Sequence, residues 1–296
     1  MSKFLIHVGY PKAGSCFLGE WFHRHPAFAF KDFKLAGIDS TSDLCKYALS
    51  KHDEVKYMVI KDMIFSSPMI NENHGVSNIN EYQQKVCKTL FDLFPDSKIL
   101  IVTRGFKSAM ISGFNQYVKE GGIYSKKELF DKYKKSNWLI YNYSFLINLY
   151  NQYFGKENVI VVPYEFLKDN PNKFLNYLEE KLNVPASNIE IGELNVSMSP
   201  NMLYSRRRLN ISMNNISKAL GRPGKILLKW YLKKLDSKKN SAEKTFLLLR
   251  FFSVFCKGKK EEDILIPQEL LSEFKKYSNV LNEYKIFDKY IEQYFI

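Results

Sequence analysis

The 296-residue sequence has only four cysteines, Cys16, Cys45, Cys87 and Cys256, and no two of them form a CxxC pair. Their irregular spacing gives neither a zinc-binding pattern nor a disulfide framework. The sequence also lacks a cluster of His, Cys and acidic residues at metal-ligand spacing. We therefore expect reduced thiols, a cytoplasmic location and no bound metal.

Long hydrophobic runs are also missing, because no apolar stretch approaches the length of a membrane span. The N-terminus leads almost directly into FLIHV, without the charged region and apolar run of a secretory signal. Acidic residues are outnumbered, with 31 Asp and Glu against 44 Lys and Arg, so the formal net charge is +13. This charge favours anionic ligands, polyanions or acidic lipid headgroups without distinguishing among them.

Apolar runs bounded by turn residues alternate along the chain with segments of helical period, an order typical of a parallel sheet with crossover helices. The predicted strands are Phe4–Val8, Tyr57–Ile60, Ile99–Val102 and Val159–Val162. The predicted helices are Ile79–Leu93, Ala109–Tyr117, Ser125–Asn151 and Pro171–Lys181, with a helix start at Asp169-Asn170-Pro171. The unbroken hydrophobicity of ILIVT and VIVVP favours central strands.

We thus expect a single α/β domain over residues 1–296, a P-loop-like three-layer fold whose central parallel sheet is flanked by helices. Residues 195–265 have a different texture, in which Lys and Arg interrupt short apolar stretches such as ILLKWYLKK. We interpret them as a basic, mostly helical insertion or, in part, a basic amphipathic surface. The tail from Pro267 to Ile296 has a helical pattern that predicts docking on the core.

The segment Phe4–Phe22, FLIHVGYPKAGSCFLGEWF, predicts a strand, an anion-binding loop and a helix. Gly9 and Gly14 bracket a tight turn whose backbone N–H groups converge on an anion, and the helix N-terminus adds positive charge. Lys12 supplies a full charge, and the Ser15 hydroxyl can donate to a phosphate oxygen. The nucleotide triphosphate loop GxxxxGK[ST] has its lysine after the second glycine, whereas Lys12 precedes Gly14 by two positions.

The pattern GxPKxG[ST] instead resembles the 5′-phosphosulfate loop of the PAPS-dependent sulfotransferases, especially those of the carbohydrate and bacterial types. PAPS is 3′-phosphoadenosine 5′-phosphosulfate. The resemblance implies PAPS as co-substrate, PAP as product, no metal, and nucleotide contacts from Gly9, Pro11, Lys12, Ala13, Gly14, Ser15 and Cys16. Cys16 departs from the family, which usually has Thr or Ser there, so we expect that contact to be weaker or made by backbone alone.

A second element, RGFKSAMISGFNQY, follows the strand ILIVT. In the family, an Arg at the strand end and a Ser eight residues later hold the 3′-phosphate, which assigns that role to Arg104 and Ser112. An arginine suits it because its guanidinium binds phosphate through two parallel, charge-assisted hydrogen bonds. Without the first loop, the same pair would be typical of a surface ion pair.

Further similarity covers nearly the whole chain. In VPYEFLKDNP the resemblance places Tyr164 against the adenine, and a buried core tyrosine is the alternative. The run Arg206, Arg207 and Arg208 stands near a basic loop that closes over the 3′-phosphate and the acceptor in the family. This makes 195–265 a candidate subregion on that side, although a solvated charge run explains the same residues.

Sulfuryl transfer also needs a group that stabilises the leaving oxygen and a base that takes the acceptor's proton. Lys12 is the predicted stabiliser. Asp62 in YMVIKDMIF is the first candidate base, with Lys61 beside it to bind an acidic acceptor; capping of the next segment is the alternative for Asp62. His7 is the second candidate, expected to pack or to orient Lys12 or the acceptor. Glu20, His23 and His25 are weaker candidates.

Two other functions remain open on the sequence: a P-loop kinase or phosphotransferase, and a non-enzymatic basic protein that binds membrane or polyanion. No nucleic-acid motif accompanies the charge, so no nucleic-acid partner is expected. For the sulfotransferase we expect a glycan or glycoconjugate acceptor. The Lys-rich amphipathic stretches suggest peripheral association with an anionic membrane, at its inner face.

Overall fold

The computed structural model describes residues 3–32, 42–50, 54–67, 78–132, 140–192, 198–236 and 268–295. The chain forms two compact units. The first comprises Met1–Ala109, Lys135–Leu194 and Ile266–Ile296, and the second comprises Met110–Lys134 and Asn195–Leu265.

The first unit is built on a parallel five-stranded sheet in the order β2-β3-β1-β4-β5. Its strands are β1 (Lys3–Gly9), β2 (Phe28–Asp32), β3 (Tyr57–Asp62), β4 (Lys98–Thr103) and β5 (Val159–Pro163). This arrangement confirms the predicted α/β fold and all four predicted strands. The fifth, β2, was missed because FAFKD is short and carries two charged residues among its five.

The helices, in chain order, are α1 (Ser15–Arg24), α2 (Ser42–Leu49), α3 (Ile79–Leu93), α4 (Phe106–Lys119), α5 (Lys126–Lys132), α6 (Tyr143–Phe154), α7 (Tyr164–Asp169), α8 (Pro171–Leu182), α9 (Pro200–Leu220), α10 (Arg222–Asp236), α11 (Gln268–Tyr277) and α12 (Glu292–Phe295). Short 3₁₀ helices lie at Met63–Phe65, Lys156–Asn158, Asn279–Glu283 and Lys285–Phe287.

Helices cover both faces of the sheet, as contacts of neighbouring residues on β1 indicate. Phe4 packs on Phe94 at the end of α3, with 4.6 Å between the ring centroids. His7 packs on Phe22 of α1, with 6.2 Å between the centroids. Because residues an odd number apart on a strand face opposite sides of the sheet, α1 and α3 lie on opposite faces and the unit has three layers.

Two expectations about the strands and helices were wrong in detail. Strand β5 lies at the edge of the described sheet, although all five of its residues are buried. The single helix expected over Ser125–Asn151 is instead two helices, α5 and α6, with residues 133–139 outside the described part. Asn142 begins α6, since its side-chain oxygen accepts the Phe145 N–H at 3.0 Å and caps the helix.

The start of α8 agrees with its sequence signal. Pro171 occupies the first turn, and the Asn170 side chain accepts the Lys173 N–H at 2.9 Å. The C-terminal region is less regular than expected, because after α11 it continues as two 3₁₀ helices and the four-residue α12. Its docking is confirmed by the burial of Phe287 and Tyr294.

The second unit contains the end of α4 with α5, α9 and α10. Phe114, Val118 and Leu203 form its buried apolar cluster. Asn210 joins the helices: its amide donates to the carbonyls of Val118 and Gly122 at 2.8 and 2.9 Å. Within the predicted basic insertion, the described residues include the helices α9 and α10, and KTFLLLRFFSVFCKGKK lies outside the described residues. No helix in the described part of the chain is long and apolar enough to cross a membrane.

Candidate active site

The candidate site lies at the carboxyl edge of the sheet in the first unit. Strands β1 and β4 are adjacent and parallel, with Gly9 opposite Val102, so the loops that follow them leave the same edge. This is also where the connections from β1 and β4 proceed to opposite sides, the position at which open parallel sheets bind ligands.

The loop between β1 and α1 has a conformation that few residues tolerate. Gly14 has φ +84°, and a Cβ atom built on it would lie 2.7 Å from Leu167 and 3.3 Å from Tyr164. Lys12 also has a positive φ, of 65°. The turn closes through a hydrogen bond from the Ala13 N–H to the Tyr10 carbonyl at 3.2 Å. Gly14 is therefore required both by backbone conformation and by space.

The N-terminus of α1 has the features of an anion site. The first-turn N–H groups of a helix have no intrahelical acceptor, and Gly14, which precedes α1, provides no side chain to cap them. The Ser15 hydroxyl is buried and has no hydrogen-bond partner among the described residues. Cys16 is exposed in the same turn. This end of α1 is thus chemically suited to a phosphosulfate group.

Arg104 is fixed at the end of β4 by contacts on several sides. Its Nε donates to the Ser108 hydroxyl at 2.9 Å, and Nη1 donates to the Lys12 carbonyl. The guanidinium lies over the Tyr164 ring, 4.4 Å from the centroid. The Tyr143 hydroxyl donates to the Arg104 carbonyl and accepts its N–H. The structure therefore brings together Lys12, Gly14, Arg104 and Tyr164, which are among the predicted site residues.

Glu165 and Ser108 belong to this arrangement and were missed at the level of sequence. The Glu165 carboxylate is buried and accepts the Gly105 N–H at 3.0 Å and the Ser108 hydroxyl at 3.4 Å. Both stand next to predicted residues: Glu165 follows Tyr164, and Ser108 is one helical turn after Arg104. This adjacency could have identified both residues in the sequence, because a carboxylate directly after a buried strand needs hydrogen-bond donors.

His7 is fully buried beneath the loop. A Cβ atom on Gly9 would lie 3.0 Å from the His7 ring and 2.9 Å from the Ser15 hydroxyl, so both polar groups border the same small space. Burial, and after it the positive charge of Lys61, lowers the pKa of His7 to about 3. Neither ring nitrogen has a partner among the described residues. A neutral imidazole of such low basicity is poorly suited to accept a proton.

Asp62 and Lys61 end β3 on opposite faces of the sheet. One Asp62 oxygen accepts the Ile64 N–H at 3.0 Å and caps the 3₁₀ helix that follows, as in the capping alternative. The Lys61 ammonium donates to the Ser15 carbonyl at 3.1 Å and lies 5.5 Å from the Phe30 ring centroid. Since Lys61 is only 9% exposed, the expectation that it binds an acidic acceptor is not supported.

The other acid–base candidates lie on α1 or directly after it. His25 is buried at the end of the helix, where its Nδ1 accepts the Ala27 N–H at 3.1 Å. Its Nε2 is 3.2 Å from the Pro185 carbonyl. His23 and Glu20 are exposed on the helix surface. The contacts of His25 thus point to a structural role.

The remaining predicted residues lie in the second unit. Ser112 is half-buried on α4. Arg206 is buried, donates to the Lys119 carbonyl at 3.3 Å and lies over the Tyr231 ring, and burial lowers its pKa below the ordinary value. Arg207 donates to the Ile123 carbonyl at 3.2 Å, while Arg208 is exposed. The contacts of these residues with the 3′-phosphate remain a prediction.

The donor chemistry of the site suits anions rather than metals. Lys12, Arg104, the Ser15 hydroxyl and the helix N–H groups are all hydrogen-bond donors. No group of three or more His, Cys, Asp or Glu within the described ranges is placed to hold a metal ion.

Comparisons with known proteins give the family. The model of the sulfotransferase domain matches residues 2–218. No curated protein matches the chain. A sulfotransferase structure from Alicyclobacillus acidocaldarius is 17% identical with a TM-score of 0.48, covering 79% of this chain and 96% of that one. A mouse sulfotransferase complexed with PAP is 16% identical with a TM-score of 0.40, covering 64% and 61%. On the domain match, which spans well over half its length, the chain belongs to the sulfotransferase family and is a PAPS-dependent enzyme.

Proposed function

We propose that the chain transfers the sulfuryl group of PAPS to a hydroxyl or amine of a glycan or glycoconjugate, releasing PAP. The observation that carries this proposal is the contact between Arg104 and the Lys12 carbonyl. It joins two cationic residues at the edge of the sheet, one in each of the two loops that the family resemblance assigns to the 5′ and 3′ groups. A nucleotide with phosphates at both ends matches that arrangement.

In the proposed site, the N-terminus of α1 and the Ser15 hydroxyl hold the 5′-phosphosulfate, while Arg104 and Ser112 hold the 3′-phosphate. Arg206, Arg207 and Arg208 are proposed to add positive charge on that side. The Tyr164 ring already contacts Arg104 on one face and offers its remaining surface to the adenine. Pro11 and Ala13 contribute loop backbone, and Cys16 contributes backbone in the first turn of α1.

The proposed reaction is an in-line displacement. The acceptor oxygen bonds to sulfur as the bond from sulfur to the bridging oxygen of the 5′-phosphate breaks. Lys12 stabilises the negative charge that develops on that oxygen. Asp62 takes the acceptor's proton as that bond forms. We assign this role to Asp62 because burial keeps His7 neutral and weakly basic.

The glycan acceptor is proposed from charge and from the position of Asp62. The net charge of +13 favours an acidic acceptor. Asp62 lies at the carboxyl end of β3, which is parallel to β1 and next to it. It is therefore at the same edge of the sheet as the loop between β1 and α1.

A second proposal concerns an anionic membrane, at whose inner face the enzyme would act. Residues 194–235 include nine Lys or Arg and no Asp or Glu. On α10, Ile226 and Trp230 are one turn apart and 71% and 53% exposed, with Lys225, Lys229 and Lys233 exposed beside them. Exposed apolar and basic strips on one helix, with an interfacial tryptophan, suit binding in the plane of an anionic bilayer.

Vesicle flotation tests the membrane proposal. We expect the protein to float with vesicles rich in phosphatidylglycerol and not with pure phosphatidylcholine. Replacing both Ile226 and Trp230 by Ser should abolish flotation, whereas Leu49→Ser, at an 83% exposed position on α2, should not. Equal flotation of both variants would contradict the assignment of α10.

Calorimetric titration with PAP in excess EDTA tests the nucleotide site. We expect binding without a divalent metal, weakened by about tenfold or more in Lys12→Ala and in Arg104→Ala, since each removes a charged hydrogen-bond donor. Binding of ATP that requires magnesium, without affinity for PAP, would favour a P-loop kinase. Polyanion or lipid association that survives Lys12→Ala in a protein without PAP affinity would favour a non-enzymatic binder.

A further inference from the structure

Glu165 is a buried carboxylate that joins three parts of the first unit. It is 6% exposed at the start of α7. Its Oε1 accepts the Gly105 N–H and the Ser108 hydroxyl, and its Oε2 accepts the Tyr294 hydroxyl at 2.9 Å. Because a buried carboxylate is unfavourable without such donors, the three partners define one preferred arrangement.

Ser108 connects this carboxylate to Arg104. Its hydroxyl accepts from the Arg104 Nε, so its single proton is directed to Glu165 or to the Gly105 carbonyl, 3.1 Å away. With Nη1 bonded to the Lys12 carbonyl, the guanidinium has a fixed plane. Within the described part of the chain, Nε and Nη1 have these acceptors and Nη2 has none, so Nη2 is available to an anion.

The C-terminal segment, residues 285–295, packs against the same backbone. Tyr294 is fully buried, and its hydroxyl also lies 2.9 Å from the Thr103 hydroxyl at the end of β4. A Cβ atom on Gly105 would lie 2.6 Å from the Gln293 carbonyl oxygen. The segment therefore contacts both residues that flank Arg104 in the sequence.

We infer that Glu165 and the C-terminal segment are positioning elements of the 3′-phosphate site, which orient Arg104 through Ser108 and through the backbone of residues 103–105. This inference rests on the proposed function, in which Arg104 binds the 3′-phosphate of PAPS. Neither Glu165 nor Tyr294 has to touch the nucleotide. They raise the affinity of the site for nucleotides that carry a 3′-phosphate, relative to nucleotides that lack it.

The test compares the affinities of PAP and 5′-AMP, which differ only in the 3′-phosphate. In Glu165→Gln, we expect the affinity for PAP to fall by about tenfold, the loss typical of a weakened hydrogen bond to a charged group. The affinity for 5′-AMP should not change, because its 5′-phosphate binds at α1. Ser108→Ala should have the same selective effect. Glu180→Gln, at an exposed acid on α8, should change neither affinity.

A double-mutant cycle separates positioning from general stability. If Glu165 acts through Arg104, Glu165→Gln should cause no further loss of PAP affinity in an Arg104→Ala background. The same loss in both backgrounds, or equal losses for PAP and 5′-AMP, would overturn the inference. Should Glu165→Gln not fold, Tyr294→Phe serves in its place, since it removes only one hydroxyl. A wild-type chain with no preference for PAP over 5′-AMP would instead refute the proposed 3′-phosphate site.

Discussion

At the scale of single residues, Gly14 combines two requirements in one position. Its φ of +84° disfavours any side chain, and a Cβ atom would meet Leu167 at 2.7 Å. We expect Gly14→Ala to lower the free energy of unfolding by about 1–3 kcal/mol and to weaken PAP binding by displacing the loop. Urea denaturation and calorimetry measure the two effects.

Gly113→Ala is the matched control. Gly113 lies on α4, and a Cβ atom there meets nothing within 4 Å. This substitution should raise the free energy of unfolding by about 0.4–1 kcal/mol, because alanine restricts the unfolded chain and favours the helix. Equal stability changes in the two variants would contradict our account of the loop.

His7 makes stability depend on pH. Burial lowers its pKa from 6.5 to about 3, so the unfolded chain binds a proton more readily than the folded one. The contribution to stability is complete above pH 6.5 and is lost as the pH falls toward about 3. We expect a slope of at most about 1.4 kcal/mol per pH unit in that window.

The measurement is the difference in free energy of unfolding between the wild type and His7→Asn. The free energy of unfolding of the wild type should fall relative to that of His7→Asn between pH 7 and about pH 4.5, because only the wild type exposes an imidazole at position 7 that takes up a proton on unfolding. A constant difference would show that His7 is not held neutral.

Residue spacing in the sequence located the loop and Arg104 but not the groups that orient them. Gly9, Lys12, Gly14 and Arg104 are recognisable because their types follow the chemistry of phosphate binding. Glu165 and Tyr294 are 129 positions apart and meet only in the folded chain. The low basicity of His7 was also hidden, because it depends on complete burial beside Lys61.

At the scale of elements, the N-terminus of α1 is where stability and ligand binding oppose each other. A carboxylate in its first turn should stabilise the helix by about 0.3–1 kcal/mol and also repel an anionic ligand. We therefore expect Cys16→Asp to raise the free energy of unfolding while lowering PAP affinity by about tenfold or more. Cys16→Ser, which adds a hydroxyl donor, should bind PAP at least as well as the wild type.

The control places the same charge on another helix. Cys45→Asp on α2 should leave PAP affinity unchanged, since α2 is not part of the site. PAP binding by Cys16→Asp at wild-type strength would show that the first turn of α1 does not face the 5′ end of the ligand.

Elements with strong local signals were predicted well, and those shaped by tertiary contacts were not. Helix α3 has the predicted bounds because Asn78 caps it and its apolar residues keep a regular period. Strand β2 was not predicted, because it is short and two of its five residues are charged; it pairs with β3 in the sheet. Helix α6 begins at the Asn142 cap. The apolar period of the surrounding sequence continues across this position and so gives no sign of the boundary.

At the scale of the whole molecule, sheet topology determines which residues meet. Parallel strands put the ends of β1, β3 and β4 on one edge, so Lys12, Asp62 and Arg104 belong to that edge although the sequence separates them. The net charge of +13 adds a long-range attraction for an anionic donor and acceptor. The fold class could be predicted because alternating strands and helices allow few other arrangements.

The most direct test of the central claim is transfer of labelled sulfate from PAPS into the glycans of a source-cell extract, in the presence of EDTA. We expect the wild-type chain to label material that glycosidases degrade. Lys12→Ala should reduce the rate by about a hundredfold or more, the effect of removing one donor from developing charge. Undiminished transfer by Lys12→Ala and Arg104→Ala would contradict the assignment of the site.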